Sequence, residues 1–278
     1  MNTLEKLAEE LLTLYDQREA NTIARWAAED ILGKETEYIP PYLLELWQSA
    51  RMRLLNGEPL AYVTGKSNFY GFDFSVSPDV LVPRPETEEL VHWVFSDWKK
   101  SVAPKIMDVG TGSGCIAVTL QKLMPHAFVT AVDKCEKALA VAQQNAEKLK
   151  AGVTLLQLDF LNSSLPEMQD VIVSNPPYID PETERKEISP QVMQHEPHLA
   201  LFSPPHDPLA FYRKLAEEAQ EKLLPGGALY AEMNAMRALE TADLFARAGF
   251  VVEIRKDLSG KDRMIKCRKA DEGQTGCR

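Results

Sequence analysis

From residue 104 to about residue 267, apolar runs of strand length alternate with longer segments of helical periodicity. That alternation leaves few folds open. Strands joined through helices pair in parallel, and a parallel sheet must bury both faces under helices. Strands are expected at 106–109, 128–132, 153–158, 171–174, 228–232, 251–255 and 264–267. Helices are expected after Gly114 and over 135–149, 208–224 and 235–248. The prediction is an α/β fold with a mostly parallel seven-stranded sheet. Ligands of such sheets bind outside the carboxyl ends of the strands.

The first of these strands runs into Asp108-Val109-Gly110-Thr111-Gly112-Ser113-Gly114. Glycines at alternate positions let the backbone turn tightly and approach a ligand. The dinucleotide fingerprint, G-x-G-x-x-G, puts pyrophosphate on a helix N-terminus. The spacing here is G-x-G-x-G, preceded by an aspartate. It suits a cofactor with an amino-acid end and no phosphate, and S-adenosylmethionine is one, its ammonium drawn by a carboxylate such as Asp108. The second strand ends at Asp133, where a carboxylate can accept both ribose hydroxyls. The third ends at Asp159-Phe160, where a ring can stack on adenine and a carboxylate can accept from its amino group. Each feature alone has a plain reading as a turn or a helix cap. Their order at three successive strand ends favours a nucleoside.

The fourth strand ends on Asn175-Pro176-Pro177-Tyr178. An amide or aromatic amino nitrogen is a poor nucleophile, because its lone pair is delocalised. An enzyme must orient it and accept hydrogen bonds from its NH2 as charge develops. The Asn175 side-chain oxygen is one acceptor and the Pro176 carbonyl a second. Two prolines fix the direction of that carbonyl. Tyr178 is expected to stack on the planar target group. In isolation the tetrapeptide would serve equally well as a proline turn capping a strand. Behind the glycine loop it points to methyl transfer, with catalysis by positioning and electrostatics.

Residues 1–56 carry three amphipathic stripes and read as a small helical bundle. Leu4, Leu7, Leu11 and Tyr15 lie on the first, with Asn2 and Glu5 as a capping box. Ile23, Ala24, Ala27 and Ile31 lie on the second, closed by Gly33. The third starts near Pro41 and contains Leu43, Trp47 and Leu54. Residues 57–82 read as a β-hairpin linker, with Phe72, Phe74 and Val76 alternating with polar residues. The catalytic domain is placed at 83–278. The formal net charge is -10, which disfavours loose attachment to a nucleic-acid backbone. The four cysteines show no zinc-ligand spacing, so no metal and a reducing, cytoplasmic setting are expected. No run approaches the apolar length of a membrane span.

Several stretches resemble the PrmC/HemK family, the glutamine N5-methyltransferases of peptide-chain release factors. They are Glu58-Pro59-Leu60-Ala61-Tyr62, Val82-Pro83-Arg84-Pro85-Glu86-Thr87-Glu88, the glycine loop, the Asn175 tetrapeptide, and Leu258-Ser259-Gly260-Lys261-Asp262-Arg263. The P-R-P-E-T-E segment discriminates best, since N-P-P-Y also occurs in adenine-N6 methyltransferases. The resemblance implies a Rossmann-like, class I S-adenosylmethionine-dependent domain with an antiparallel strand at one sheet edge. It implies an N-terminal helical domain that helps recognise a release factor, and a glutamine in a Gly-Gly-Gln loop as target. By position, Gly110, Thr111, Gly112, Ser113, Gly114, Asp133, Phe160 and Asn175 would hold the cofactor, giving S-adenosylhomocysteine as product. Asn175, Pro176, Pro177 and Tyr178 would hold the glutamine, with Asn175 and Pro176 catalytic.

Other readings stay open on the residues alone. Methylation of adenine N6 in a nucleic acid would use the same tetrapeptide, and so would a glutamine of a ribosomal protein. A non-catalytic nucleotide-binding protein is a third reading, against which the intact loop and Asn175 argue. His195 and His198 are read as loop histidines, Glu182, Glu184 and Glu187 as solvated or facing a basic partner, and Cys115 as a small buried residue. Arg84 and Glu86 are left between an ion pair and a place near the cleft.

Overall fold

The computed structural model describes residues 3–33 and 39–270. Asn2, and with it the expected capping box, lies outside them. The chain opens with α1 (Thr3–Leu11) and α2 (Gln17–Leu32). Asp16 caps α2 by accepting from the Glu19 amide, and Gly33 ends it in the left-handed region at φ 78°. A 3-10 turn at Pro41–Leu43 leads into α3 (Leu44–Leu55). Leu7, Leu11, Ala20, Ala24, Ala27, Trp47 and Leu54 form the core between the three helices. The alanine stripe of α2 lets its neighbours approach closely.

The stretch after residue 57 holds more than a hairpin. A short helix, α4 (Leu60–Thr64), comes first. Its Leu60 and Val63 pack on the helical cluster, while Tyr62 packs with Val76, Val80 and Ala138. The helix therefore joins the two halves of the chain. The hairpin itself is β1 (Lys66–Phe69) and β2 (Phe72–Ser75), antiparallel. Phe69 and Phe74 are fully buried in the main core, edge to face with ring centroids 5.9 Å apart. The hairpin is thus anchored and does not swing free.

Then come α5 (Pro85–Trp98), β3 (Lys105–Val109), α6 (Cys115–Leu123), β4 (Phe128–Asp133), α7 (Glu136–Leu149), β5 (Val153–Gln157) and β6 (Gln169–Ser174). Two short helices follow in the long loop, α8 (Pro190–His195) and α9 (His198–Leu201). The chain closes with α10 (Ala210–Lys222), β7 (Leu223–Glu232), α11 (Ala238–Arg247), β8 (Phe250–Lys256) and β9 (Asp262–Lys269). The seven-stranded sheet runs β5-β4-β3-β6-β7-β9-β8. Only β9 is antiparallel to its neighbours. It is second from the edge rather than at it, because the chain goes out to β8 before returning.

Alternation along the strands fills both faces. Ile106, Val171, Val173 and Tyr230 face the core under α5 and α6. Met107, Ile172, Leu229 and Ala231 face the core under α10 and α11. The connections from β3 lead to one side of the sheet through β4 and β5, and from β6 to the other through β7. The order reverses between β3 and β6, where a crevice opens at the carboxyl ends.

Candidate active site

A cavity of about 280 Å³ occupies that crevice. Its wall includes Gly110, Thr111, Gly112 and Ser113 after β3, Asp133 at the end of β4, Asp159 and Phe160 after β5, and Asn175, Pro176 and Pro177 after β6. Strand ends far apart in sequence thus converge on one space. A Cβ built on Gly110 or Gly112 would meet nothing within 4 Å, so the loop's bare backbone presents itself to a ligand. Asp133 is half-buried. Its two oxygens accept from the Gly112 and Cys135 amides, each at 2.9 Å. Burial raises its pKa and those amides draw it back down. Each oxygen keeps a further lone pair for a hydroxyl. Phe160 is 6% exposed and presents its remaining surface here. Glycine backbone, an anchored carboxylate and an aromatic ring form a donor set that fits an adenosine carrying an amino-acid tail.

Three expected residues do not border the cavity. Gly114 sits at φ 81°, and a Cβ there would come within 3.1 Å of the Ala142 Cβ. Its bareness serves the approach of α6 to α7, not the ligand. Asp108 is fully buried behind the loop, where one oxygen accepts from the Thr111 hydroxyl at 2.6 Å. Its other oxygen has no hydrogen-bond partner among the described residues. Burial pushes its pKa up to about 7. It braces the loop and is not placed to meet a cofactor ammonium. Tyr178 turns its ring into the α10–α11 core and its hydroxyl to Glu232 at 3.2 Å, so it does not stack on a group held in the cavity. Asp159 borders the cavity but is paired with Lys134 at 2.7 Å, which holds its carboxyl below the usual range.

Asn175 stands at the cavity wall, just past the end of β6. Its Nδ2 donates to the Thr87 hydroxyl at 3.1 Å, and its Oδ1 receives no hydrogen bond from the described residues. Ser174 beside it donates to the Val109 carbonyl at 2.7 Å, tying the tetrapeptide to the strand that carries the glycine loop. Behind that loop, Asn145 of α7 is fully buried. It donates to the Ser113 and Ser75 carbonyls and accepts from the Ser75 amide. Nothing in the pattern of α7 marks Asn145 beyond its being a polar residue on the inward stripe.

The long loop after Tyr178 covers one side of the cavity with Pro197, Leu199 and Ala200. Glu196 within it is buried and takes both hydrogen bonds from one Arg84 nitrogen, at 2.7 and 2.8 Å. Arg84 itself lines the cavity, and its partner in the ion pair is Glu196 rather than Glu86. Glu184 is not solvated, contrary to expectation. It is 7% exposed and accepts from the Asp180 amide, Asn234 and Arg237. Glu182 is exposed. His195 and His198 meet the Asn56 and Met193 carbonyls. Among the described residues no cluster of three or more His, Cys, Asp or Glu could hold a metal. The Cys115 thiol is pushed up to about 12 by burial, which removes it as a nucleophile. Among the same residues no helix is long and apolar enough to cross a membrane.

The comparisons agree with this geometry. The Methyltransferase small domain family matches residues 93–200. Among solved structures, a methyltransferase from Pyrococcus furiosus superposes with a TM-score of 0.53 at 20% identity, covering 80% of this chain and 100% of that one. A 16S rRNA methyltransferase of T. thermophilus, determined with AdoMet and guanosine, gives 0.54 at 17% identity, covering 74% and 50%. At such identities they establish the fold. Curated relatives go further. The release factor glutamine methyltransferase of Flavobacterium psychrophilum is 43% identical over 225 residues, 79% of each chain. That of Bordetella pertussis is 38% identical over 252 residues, 87% of this chain and 92% of its own. Identity of 38–43% with such relatives over most of the length makes the chain a member of the release factor glutamine methyltransferase family.

Proposed function

We propose that this enzyme transfers a methyl group from S-adenosylmethionine to the side-chain amide nitrogen of the glutamine in the Gly-Gly-Gln loop of a peptide-chain release factor. The observation that carries the reading is the Asn175 amide at the cavity wall, tied down through its nitrogen with its oxygen left unpaired. Bound in the crevice, the cofactor supplies a methyl on a positively charged sulfur, the electrophile that the reaction needs.

The chain's own residues do the rest. Gly110, Thr111, Gly112 and Ser113 would receive the cofactor's amino-acid end along bare backbone. Asp133 would accept the ribose hydroxyls and Phe160 would cover the adenine. Asn175 Oδ1 and the Pro176 carbonyl accept the two N–H bonds of the substrate amide. Holding both directs the nitrogen lone pair at the methyl, and both acceptors strengthen as positive charge grows there. The bound cofactor would supply the methyl that the amide nitrogen takes, and that nitrogen would lose one proton to solvent. Pro177 fixes the Pro176 carbonyl. A release-factor substrate places the enzyme in the cytoplasm, with its cysteines as thiols.

The test is transfer of labelled methyl to purified release factor, with the modified residue mapped by mass. Label should appear on the Gly-Gly-Gln glutamine and vanish when that glutamine becomes alanine. Asn175→Ala should lower turnover by about 100-fold or more, as loss of one transition-state hydrogen-bonding group does. Label on a nucleic acid instead would replace this reading with adenine methylation.

A further inference from the structure

Two stretches that look unrelated in sequence, 82–88 and the Asn175 tetrapeptide, meet at one buried carboxylate. Glu232 closes β7 and is 2% exposed. Its Oε2 accepts from the Thr87 hydroxyl at 2.7 Å and its Oε1 from the Tyr178 hydroxyl at 3.2 Å. Burial raises its pKa. The two hydroxyls, with the Arg263 guanidinium from β9, counter by favouring the charged form. Burial also pushes the Tyr178 phenol up, so it stays a donor.

These bonds have a polarity. A carboxylate has no proton to give. Thr87 must therefore donate to it, and its hydroxyl can then only accept, which it does from Asn175 Nδ2 at 3.1 Å. An amide's oxygen and NH2 ends have almost the same shape and opposite chemistry. Turned over, Asn175 would offer N–H to a substrate NH2, donor against donor. We infer that Glu232, acting through Thr87, is a positioning residue whose acceptor oxygen fixes which end of the Asn175 amide faces the substrate. Through Tyr178 the same carboxylate holds the far end of the tetrapeptide, so one group sets both its place and its polarity. This rests on Asn175 being the acceptor for the substrate amide.

The relay separates from simple packing by three variants. Thr87→Val keeps the shape and removes the hydroxyl. Thr87→Ser keeps the hydroxyl. Glu232→Gln keeps volume and hydrogen bonding, but its NH2 can donate to Thr87, which then donates to the Asn175 oxygen and turns the amide over. The measurements are kcat and KM on release factor, S-adenosylmethionine affinity by calorimetry, and Tm. Thr87→Val and Glu232→Gln should lower kcat about tenfold or more, the effect of losing about one oriented hydrogen bond. Cofactor affinity should stay within about twofold, and Thr87→Ser within about threefold of the parent kcat, on the same scale. Parent-like kcat in Thr87→Val and Glu232→Gln, with Asn175→Ala inactive, would overturn the relay. So would a Thr87→Ser as slow as Thr87→Val. If Asn175→Ala itself turns over normally, the acceptor assignment falls and the relay with it.

Discussion

At the scale of single residues, the difference between Asp108 and Asp133 shows what burial decides. Both end a strand beside the glycine loop, and in sequence both look able to meet a ligand. Asp133 lies at the cavity with both oxygens on backbone amides. Asp108 is sealed behind the loop with one oxygen unpaired. Sequence shows that a carboxylate ends a strand but not whether it points out of the sheet or down behind the turn. The Asp108 environment predicts a pH effect. Its pKa rises from 3.8 to about 7 on folding, so the folded state holds this proton more tightly than the unfolded one. The stability this gives is complete below about pH 4 and is lost as pH rises through about 7. Asp108→Asn removes the titration. Melting curves of parent and variant should diverge in the variant's favour between about pH 4 and pH 7 and run parallel above. Taking the difference cancels the other carboxylates.

Among elements, the strands and long helices were legible because their periodicities are strong. Six of the seven strands of the sheet fall where alternation put them, to within two residues. β7 is the exception. It starts at Leu223, five residues before the expected start, because the Pro225-Gly226-Gly227 turn is carried into the strand. The segments that sequence missed are short: α4, α8 and α9. A single turn of helix has too few residues to show a period, and only packing stabilises it. The long loop was opaque for the same reason. Its order comes from charges that pair across the fold, Glu184 with Arg237 and Glu196 with Arg84. The second pair can be tested. The Glu196 side chain is 1% exposed and that of Arg84 35%. Arg84→Met leaves a buried carboxylate without its cation. Removing one partner of a fully buried pair costs several kcal/mol; screening at half-open Arg84 reduces that to about 2 kcal/mol. Thermal unfolding should fall by roughly 4–8 °C for a domain of this size. The loss should shrink at acidic pH, where Glu196 is protonated. Adding Glu196→Gln should recover most of it, and an unchanged Tm would exclude the clasp.

For the molecule as a whole, family resemblance and geometry answered different questions. In the proposed reaction the tetrapeptide and loop account for chemistry at a nitrogen, and the choice of a glutamine rests on what the relatives are named for. What recognises a large protein substrate must lie outside the crevice. The helical region at residues 3–55 fills its inner face with alanines and leucines, yet leaves Trp26 49%, Tyr42 83%, Leu46 54% and Met52 64% exposed. Exposed aromatic side chains such as Trp26 on α2 and Tyr42 in the 3-10 turn make good anchors for a partner. Trp26→Ala and Tyr42→Ala should each raise KM for intact release factor by about fivefold or more, since anchor truncations cost about 1–2 kcal/mol. Cofactor affinity and kcat should hold. A KM that does not move in either variant would place docking elsewhere.

The hydrogen bonds of Asn145 reach further than the loop they support. One amide ties the end of the hairpin to the glycine turn at the cavity, and Phe69 and Phe74 seal the joint. The hairpin is therefore foundation, not hinge. A shortened protein beginning at residue 83 would remove two of the three bonds of a fully buried amide, and the floor of its methyl-donor pocket would sag. Recombining this catalytic half with another recognition module calls for a junction upstream of Lys66, within or before α4, so that the strands at residues 66–75 travel with the pocket they hold up.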